Sequence, residues 1–165
     1  LIANRLTEAD VQAAELEADM WLEKFESEKQ KLAANPELRL KPHWYWGISS
    51  ATRHEQWARH VRTRYELQKT NPTMAAEVHV LRLGDVIFAS VPFEYYLDYG
   101  VQVKVRSPAI QTFLLQLAGD GTYVPSPRSL AGGGYGSIAA SNPLGHEGGQ
   151  QLADYLVDTM RSIWT

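Results

Sequence analysis

At Asn71-Pro72 the hydrophobic period of this chain changes, and no other feature of the sequence constrains the fold as strongly. Upstream, apolar residues recur every three or four positions, the spacing of one helix face. Val11, Ala14, Ala18, Trp21, Leu22, Phe25 and Leu32 keep this spacing from a helix start at Thr7 and Asp10 to a stop at Asn35-Pro36. A second helix is predicted over 52–69, with Trp57, Val61, Tyr65 and Gln68 on one side. Downstream, Val78, Val80 and Leu83 lead through Gly84-Asp85 into the apolar run 86–91. This pattern predicts two strands joined by a tight turn, the second ended by Pro92. Helices followed by strands and further helices make the chain an α/β domain.

The rest of the downstream pattern is mixed. Tyr95, Tyr96 and Leu97 suit a helix or an extended stretch, and Val101, Val103 and Val105 alternate; a helix beginning near Phe93 is the expectation. Beyond Ser107-Pro108, residues 110–117 read as a buried strand opening into the turn-rich Ala118-Gly119-Asp120-Gly121. Gly132, Gly133, Gly134 and Gly136 around Tyr135 predict a flexible loop, and it lacks the spaced glycines and the Lys of a phosphate-binding loop. A last helix is expected over 147–164, with Leu152, Tyr155, Leu156, Thr159, Met160 and Ile163 on its apolar face. Between the first two helices, residues 41–50 concentrate Trp44, Tyr45 and Trp46. Such density in an irregular segment makes either a binding wall or a loop pinned onto the core, and the pinned loop is the expected reading.

Composition removes several function classes. The 16 basic and 19 acidic residues give a formal charge of -3 and no electrostatic footprint for nucleic acid. Arg53, Arg59, Arg62 and Arg64 cluster, but Glu55 and Glu66 are interspersed, as on a solvated helix face. No apolar run approaches the roughly 20 residues of a transmembrane helix. With no Cys there is neither a disulfide framework nor a thiolate zinc knuckle, which suits cytoplasm and periplasm equally. The chain opens on Leu1 without a signal-peptide pattern, so it is expected to continue a longer protein upstream.

Few residues are placed for chemistry. Glu94 follows Pro92 directly after an apolar strand, at the carboxyl edge where α/β folds bind ligands; as an alternative it caps the next helix. Tyr123 follows the Gly-rich turn after another apolar strand and could equally be a hydrogen-bonded core tyrosine. His146, just before the last helix, reads as a surface or capping residue. His43, His54, His60 and His79 show no zinc-type spacing, and no Gly-x-Ser-x-Gly nucleophile elbow is present.

Four segments, taken together, resemble the last part of the catalytic domain of the neutral/alkaline non-lysosomal ceramidases. EVHVLRLGDVIFASVPFE at 77–94 is similar to that family's strand-turn-strand ending in Pro-Gly-Glu. Ser107-Pro108 and its following strand are the second. LAGDGTYVPS at 117–126 is similar to a segment ending in Gly-Tyr-Val-Pro-Thr, and GGGYGS at 132–137 precedes GHEGGQQL and the final helix. The resemblance implies a mixed sheet with flanking helices, forming the C-terminal part of a larger layered α/β hydrolase domain. Residues 76–165 would then be ceramidase-like and 1–75 a helical scaffold or insertion.

The resemblance also implies a chemistry. In that family a catalytic zinc is held by two His from earlier in the domain and by a Glu and a Tyr from this part, which match Glu94 and Tyr123. The implied reaction is hydrolysis of an N-acyl amide such as N-acylsphingosine, the metal polarising the carbonyl and activating water. The implied partners are the N-terminal part of the same domain, which holds the remaining ligands, and a lipid-like substrate; the implied compartment is secreted or periplasmic. These residues alone are expected to be inactive. Phe93 stands where the family has Gly, which implies a reshaped pocket around Glu94, and the interval from Glu94 to Tyr123 is shorter than in the family, which implies a substrate other than ceramide itself. The competing readings are a non-catalytic lipid- or carbohydrate-binding module, using His43, Trp44, Tyr45 and Trp46, and a scaffold domain without a ligand.

Overall fold

A computed structural model describes residues 1–134 and 136–164, so Tyr135 of the glycine-rich segment lies outside the described residues. The chain forms a mixed α/β fold of helices and a small mixed sheet. It divides into two compact units, Leu6–Leu67 and the combination of Leu1–Arg5 with the residues from Gln68 onward.

The first unit is an antiparallel helical hairpin. Helix α1 (Glu8–Ala34) starts at Thr7, whose hydroxyl accepts from the Asp10 amide while the Asp10 carboxylate accepts from the Thr7 amide, a complete capping box. A 3₁₀ turn (Pro36–Leu40) leads to α2 (Trp46–Leu67). Val11, Ala14 and Ala18 of α1 and Ala51, Ala58 and Val61 of α2 are buried, small residues that let the helices approach closely. The arginine cluster serves this hairpin as well as its solvated face: Arg62 Nε donates to Glu15 at 2.8 Å and Arg59 Nη2 to Asp19 at 3.2 Å, both across to α1. These pairs are exposed, so solvent screens them and each adds little to stability.

Two expectations are corrected in this unit. Helix α2 begins at Trp46 rather than near 52, because the Trp46 amide finds the His43 carbonyl and the helical ladder starts there. The aromatic segment is not pinned onto a core: residues 41–46 are all exposed.

In the second unit, β1 (His79–Leu83) and β2 (Val86–Ser90) form the predicted hairpin, and Gly84 takes the φ of +60° that its two-residue turn requires. Strand β4 (Gln111–Leu115) pairs parallel to β2, giving the order β1-β2-β4. Beyond β2 the chain bends at Pro92 and Phe93 and enters β3 (Glu94–Tyr95), which pairs parallel with β5 (Tyr123–Val124). The helix expected near Phe93 therefore starts four residues later, as α3 (Leu97–Arg106). The cause is a partner distant in sequence: the amides of Glu94 and Tyr96 donate to the carbonyls of Thr122 and Val124. Pairing with β5 outcompetes local helix propensity.

Helices α4 (Pro127–Gly132) and α5 (His146–Ser162) complete the unit. Part of the loop expected around the glycines is thus helical, started by the Ser126 hydroxyl and ended by Gly133 at φ +63°. His146 is the first residue of α5, and its N-cap is Gly145. The core lies between α3, α5 and the inner face of the sheet, where Ile87, Ala89, Val91, Phe93, Val103, Leu152, Leu156 and Met160 are buried.

At its centre Tyr95 and Tyr99 stack, ring centroids 4.6 Å apart. Tyr95 Oη donates to the Gly149 carbonyl, and Tyr99 Oη lies 3.1 Å from the carbonyls of Pro125 and His146. Burial pushes the Tyr95 phenol far above its ordinary range, and burial followed by the Asp98 charge pushes Tyr99 up to about 12. A phenol kept neutral when folded contributes stability that is complete below its unfolded pKa, about 10, and is lost as pH rises toward the folded value. The second unit is therefore expected to loosen between pH 10 and about 12. Tyrosinate absorbance rising together with loss of near-ultraviolet dichroism checks this; ionisation of all tyrosines below that window, with the fold retained, contradicts it.

The outer face of the sheet is bare. Leu81, Phe88 and Phe113 sit side by side in register, the two phenylalanine rings stacked at 5.0 Å. Leu81 is 62% exposed and Leu83 69%. Strand β4, expected to be buried, is an edge strand whose Phe113 and Leu115 are exposed on this same face. Sheets containing parallel strands ordinarily have both faces covered.

Candidate functional site

The two residues singled out for metal chemistry are register partners. Glu94 on β3 lies directly opposite Tyr123 on β5, and Tyr95 lies opposite Val124. Tyr95 and Val124 are buried in the core, so strand alternation sends Glu94 and Tyr123 together to the other face, where both are half-buried. Parallel strands set such neighbours about 5 Å apart. Glu94 is not a helix cap: the N-cap of α3 is Tyr96, and the acid in that helix's first turn is Asp98. Among the described residues no hydrogen bond or ion pair engages the Glu94 carboxylate.

The loop that delivers Tyr123 is held under Pro92. The Gly121 amide donates to the Pro92 carbonyl, and a Cβ at Gly121 would lie 2.3 Å from that carbonyl oxygen, so only glycine fits. Where β4 diverges from the β2–β3 segment, the Gln116 side-chain oxygen takes over the Tyr95 amide at 2.8 Å. Leu117 turns the chain with φ +56°, a left-handed conformation strained for a branched-chain residue and stored beside the pair.

Tyr123 has neighbours that the sequence pattern does not reveal. The Tyr96 ring meets it edge to face at 6.4 Å. Gly136, at φ +81°, brings the glycine-rich segment against both rings, since a Cβ there would lie 2.7 Å from Tyr123 Cγ and 2.8 Å from Tyr96 Oη. Of the glycines in this segment, Gly136 acts by close approach, whereas Gly132 and Gly133 have open space around them. The only available signal for it was their density, because a glycine carries no hydrophobic periodicity.

The donor set of the pair is one carboxylate and one phenol, which suits a divalent cation such as zinc in kind but not in number. Among the described residues no group of three or more His, Cys, Asp or Glu side chains could hold a metal ion. His79 points to solvent beside Glu77, while His146 borders a separate groove. That groove, about 730 Å³, is lined by Asp98, Tyr99, Arg128, His146, Gln150 and Asp154 and includes neither Glu94 nor Tyr123. Two of its carboxylates are paired, Asp98 with Arg128 at 3.1 Å and Asp154 with Arg106 at 2.6 Å, which holds the Asp154 carboxyl below the ordinary range; Glu147 also lines it. The β3–β5 ladder thus stands apart from this groove.

Comparison with protein-family profiles, with curated proteins and with solved structures returns no match. No helix among the described residues is long and apolar enough to cross a membrane.

Proposed function

We propose that Glu94 and Tyr123 are two ligands of a zinc centre in an amide hydrolase resembling the neutral ceramidases, and that the other ligands come from a further, N-terminal part of the same domain. The observation that carries this reading is the register pairing of the two residues, which sends to one face a phenol and a carboxylate that no hydrogen bond or ion pair among the described residues engages. The bare outer face of the sheet supports it too, as the surface that the rest of a layered domain would cover.

In this reading Glu94 supplies negative charge to the cation, and its rigid strand holds the carboxylate in place. Tyr123 supplies a phenol oxygen whose ring is fixed by Tyr96 and by the Gly136 backbone. The metal, when bound, supplies Lewis acidity toward an amide carbonyl. The substrate class is an N-acylsphingosine or a related N-acyl amide, with the pocket beside Glu94 reshaped by Phe93, whose side chain is buried.

The test is metal removal from the full-length protein. The expected result is about one zinc per chain and hydrolysis of N-acyl amides, both lost on dialysis against a chelator and both restored by zinc. A full-length protein that hydrolyses these amides unchanged after its metal is stripped overturns the proposal.

A further inference from the structure

We infer that the tip of the helical hairpin is a membrane-interface anchor, which docks this protein onto the surface of an anionic lipid bilayer. The inference rests on the first unit alone and is independent of the zinc reading. Between α1 and the first residue of α2 the chain carries Leu40, Trp44, Tyr45 and, opening α2, Trp46, exposed by 86, 42, 47 and 60%. Four large apolar side chains on one turn lose free energy in water unless something covers them.

Their internal arrangement shows that they are built to stay outside the core. The Trp44 and Tyr45 rings meet edge to face at 5.9 Å, and the His43 ring lies 4.3 Å from that of Trp46. Arg39 sits 5.8 Å from the centre of the Trp44 ring. Backbone turns order the segment, with the Lys41 amide bonded to the Leu38 carbonyl and the Trp46 amide to that of His43. The rings therefore meet one another, edge to face or tilted, and a cation, while remaining exposed.

The chemistry of the tip selects the partner. Trp and Tyr carry an apolar body and one polar hydrogen-bonding group, the combination enriched at the boundary between headgroups and acyl chains. Arg39 and Lys41 flank them on long apolar stems whose charged ends can remain among headgroups. Residues 36–54 contain Arg39, Lys41 and Arg53 against a single acid, Glu37, in a chain whose formal charge is -3. A locally cationic, aromatic tip on a net acidic chain is complementary to an anionic surface and not to a neutral one. A carbohydrate would use the same ring faces but would gain nothing from the cations.

Sedimentation of the full-length protein with vesicles of phosphatidylcholine, with and without phosphatidylglycerol, tests the inference. The expected result is binding that increases with the anionic lipid, with tryptophan emission quenched by brominated acyl chains. Trp44→Ala combined with Trp46→Ala should weaken binding more than about tenfold. Arg39→Ala and Lys41→Ala should each cost about fivefold on anionic vesicles and much less on neutral ones. Helical dichroism should be unchanged in all three variants, because none of these side chains is buried. Failure of the unaltered protein to sediment with either vesicle, or equal binding by the tryptophan double variant, overturns the inference. Retention on an immobilised polysaccharide without vesicle binding also overturns it and assigns the rings to a glycan.

Discussion

Replacing Glu94 with Gln in the full-length protein is expected to lower bound zinc and N-acyl amide turnover together, each by about a hundredfold or more. Loss of even an outer partner of a zinc ligand costs ten- to a hundredfold in affinity or activity, and under the proposed zinc reading a ligand itself is altered. The substitution keeps the volume and removes the negative charge, so strand β3, whose pairing with β5 uses only backbone groups, should persist. Tyr123→Phe is the companion variant. It deletes one oxygen and leaves the ring between Tyr96 and the Gly136 backbone. If the two residues were only structural, both variants would keep metal and turnover while their melting temperatures fell. Loss of metal and activity at unchanged melting temperature is the outcome that separates ligation from packing.

Gly149→Ala is the second large effect, and it falls on stability. A Cβ on Gly149 would sit 2.7 Å from Tyr99 Cζ, Tyr99 Oη and Val124 Cγ1. None of these can retreat cheaply. Val124 is fully buried on β5, and Tyr99 is stacked on Tyr95 with its hydroxyl between two carbonyls. Overpacking of this kind costs about 1–3 kcal/mol, and the shift of Val124 would disturb the strand that carries Tyr123. The better helix propensity of Ala offsets about 1 kcal/mol, which leaves a net loss of up to about 2 kcal/mol. For a domain of this size that corresponds to a melting temperature lowered by up to about 8 °C, measurable by calorimetry. Gly132→Ala is the control, because nothing lies within 4 Å of a Cβ there, and it should melt like the parent protein. Equal melting temperatures for both variants would show that α5 does not approach Tyr99 this closely.

The glycine pair also shows why the packed face of the last helix was misread. The periodicity of large residues put Tyr155 and Ile163 on the apolar face, yet they are 56 and 37% exposed. Gly148, Gly149, Ala153 and Val157 are buried instead. A hydrophobic pattern registers side chains that fill space, whereas this face is defined partly by residues that leave space for Ile2, Leu144 and Tyr99 to come near.

What the sequence determined by itself is whatever depends on neighbours a few residues away. The capping box at Thr7 and Asp10 spans three positions, the Gly84-Asp85 turn needs only a residue at ease with positive φ, and the amphipathic period of the long helices repeats locally. The α/β class and the placement of Glu94 after a strand at Pro92 follow from these signals. The tertiary structure decided everything that requires a distant partner. It made β3 from a segment that reads as a helix start, because the Glu94 and Tyr96 amides found carbonyls on a strand nearly thirty residues later. It left β4 at an edge with Phe113 exposed, and it turned the rings of 44–46 outward. Above all it put Glu94 opposite Tyr123, because a one-residue slip in that ladder would have sent one of them into the core.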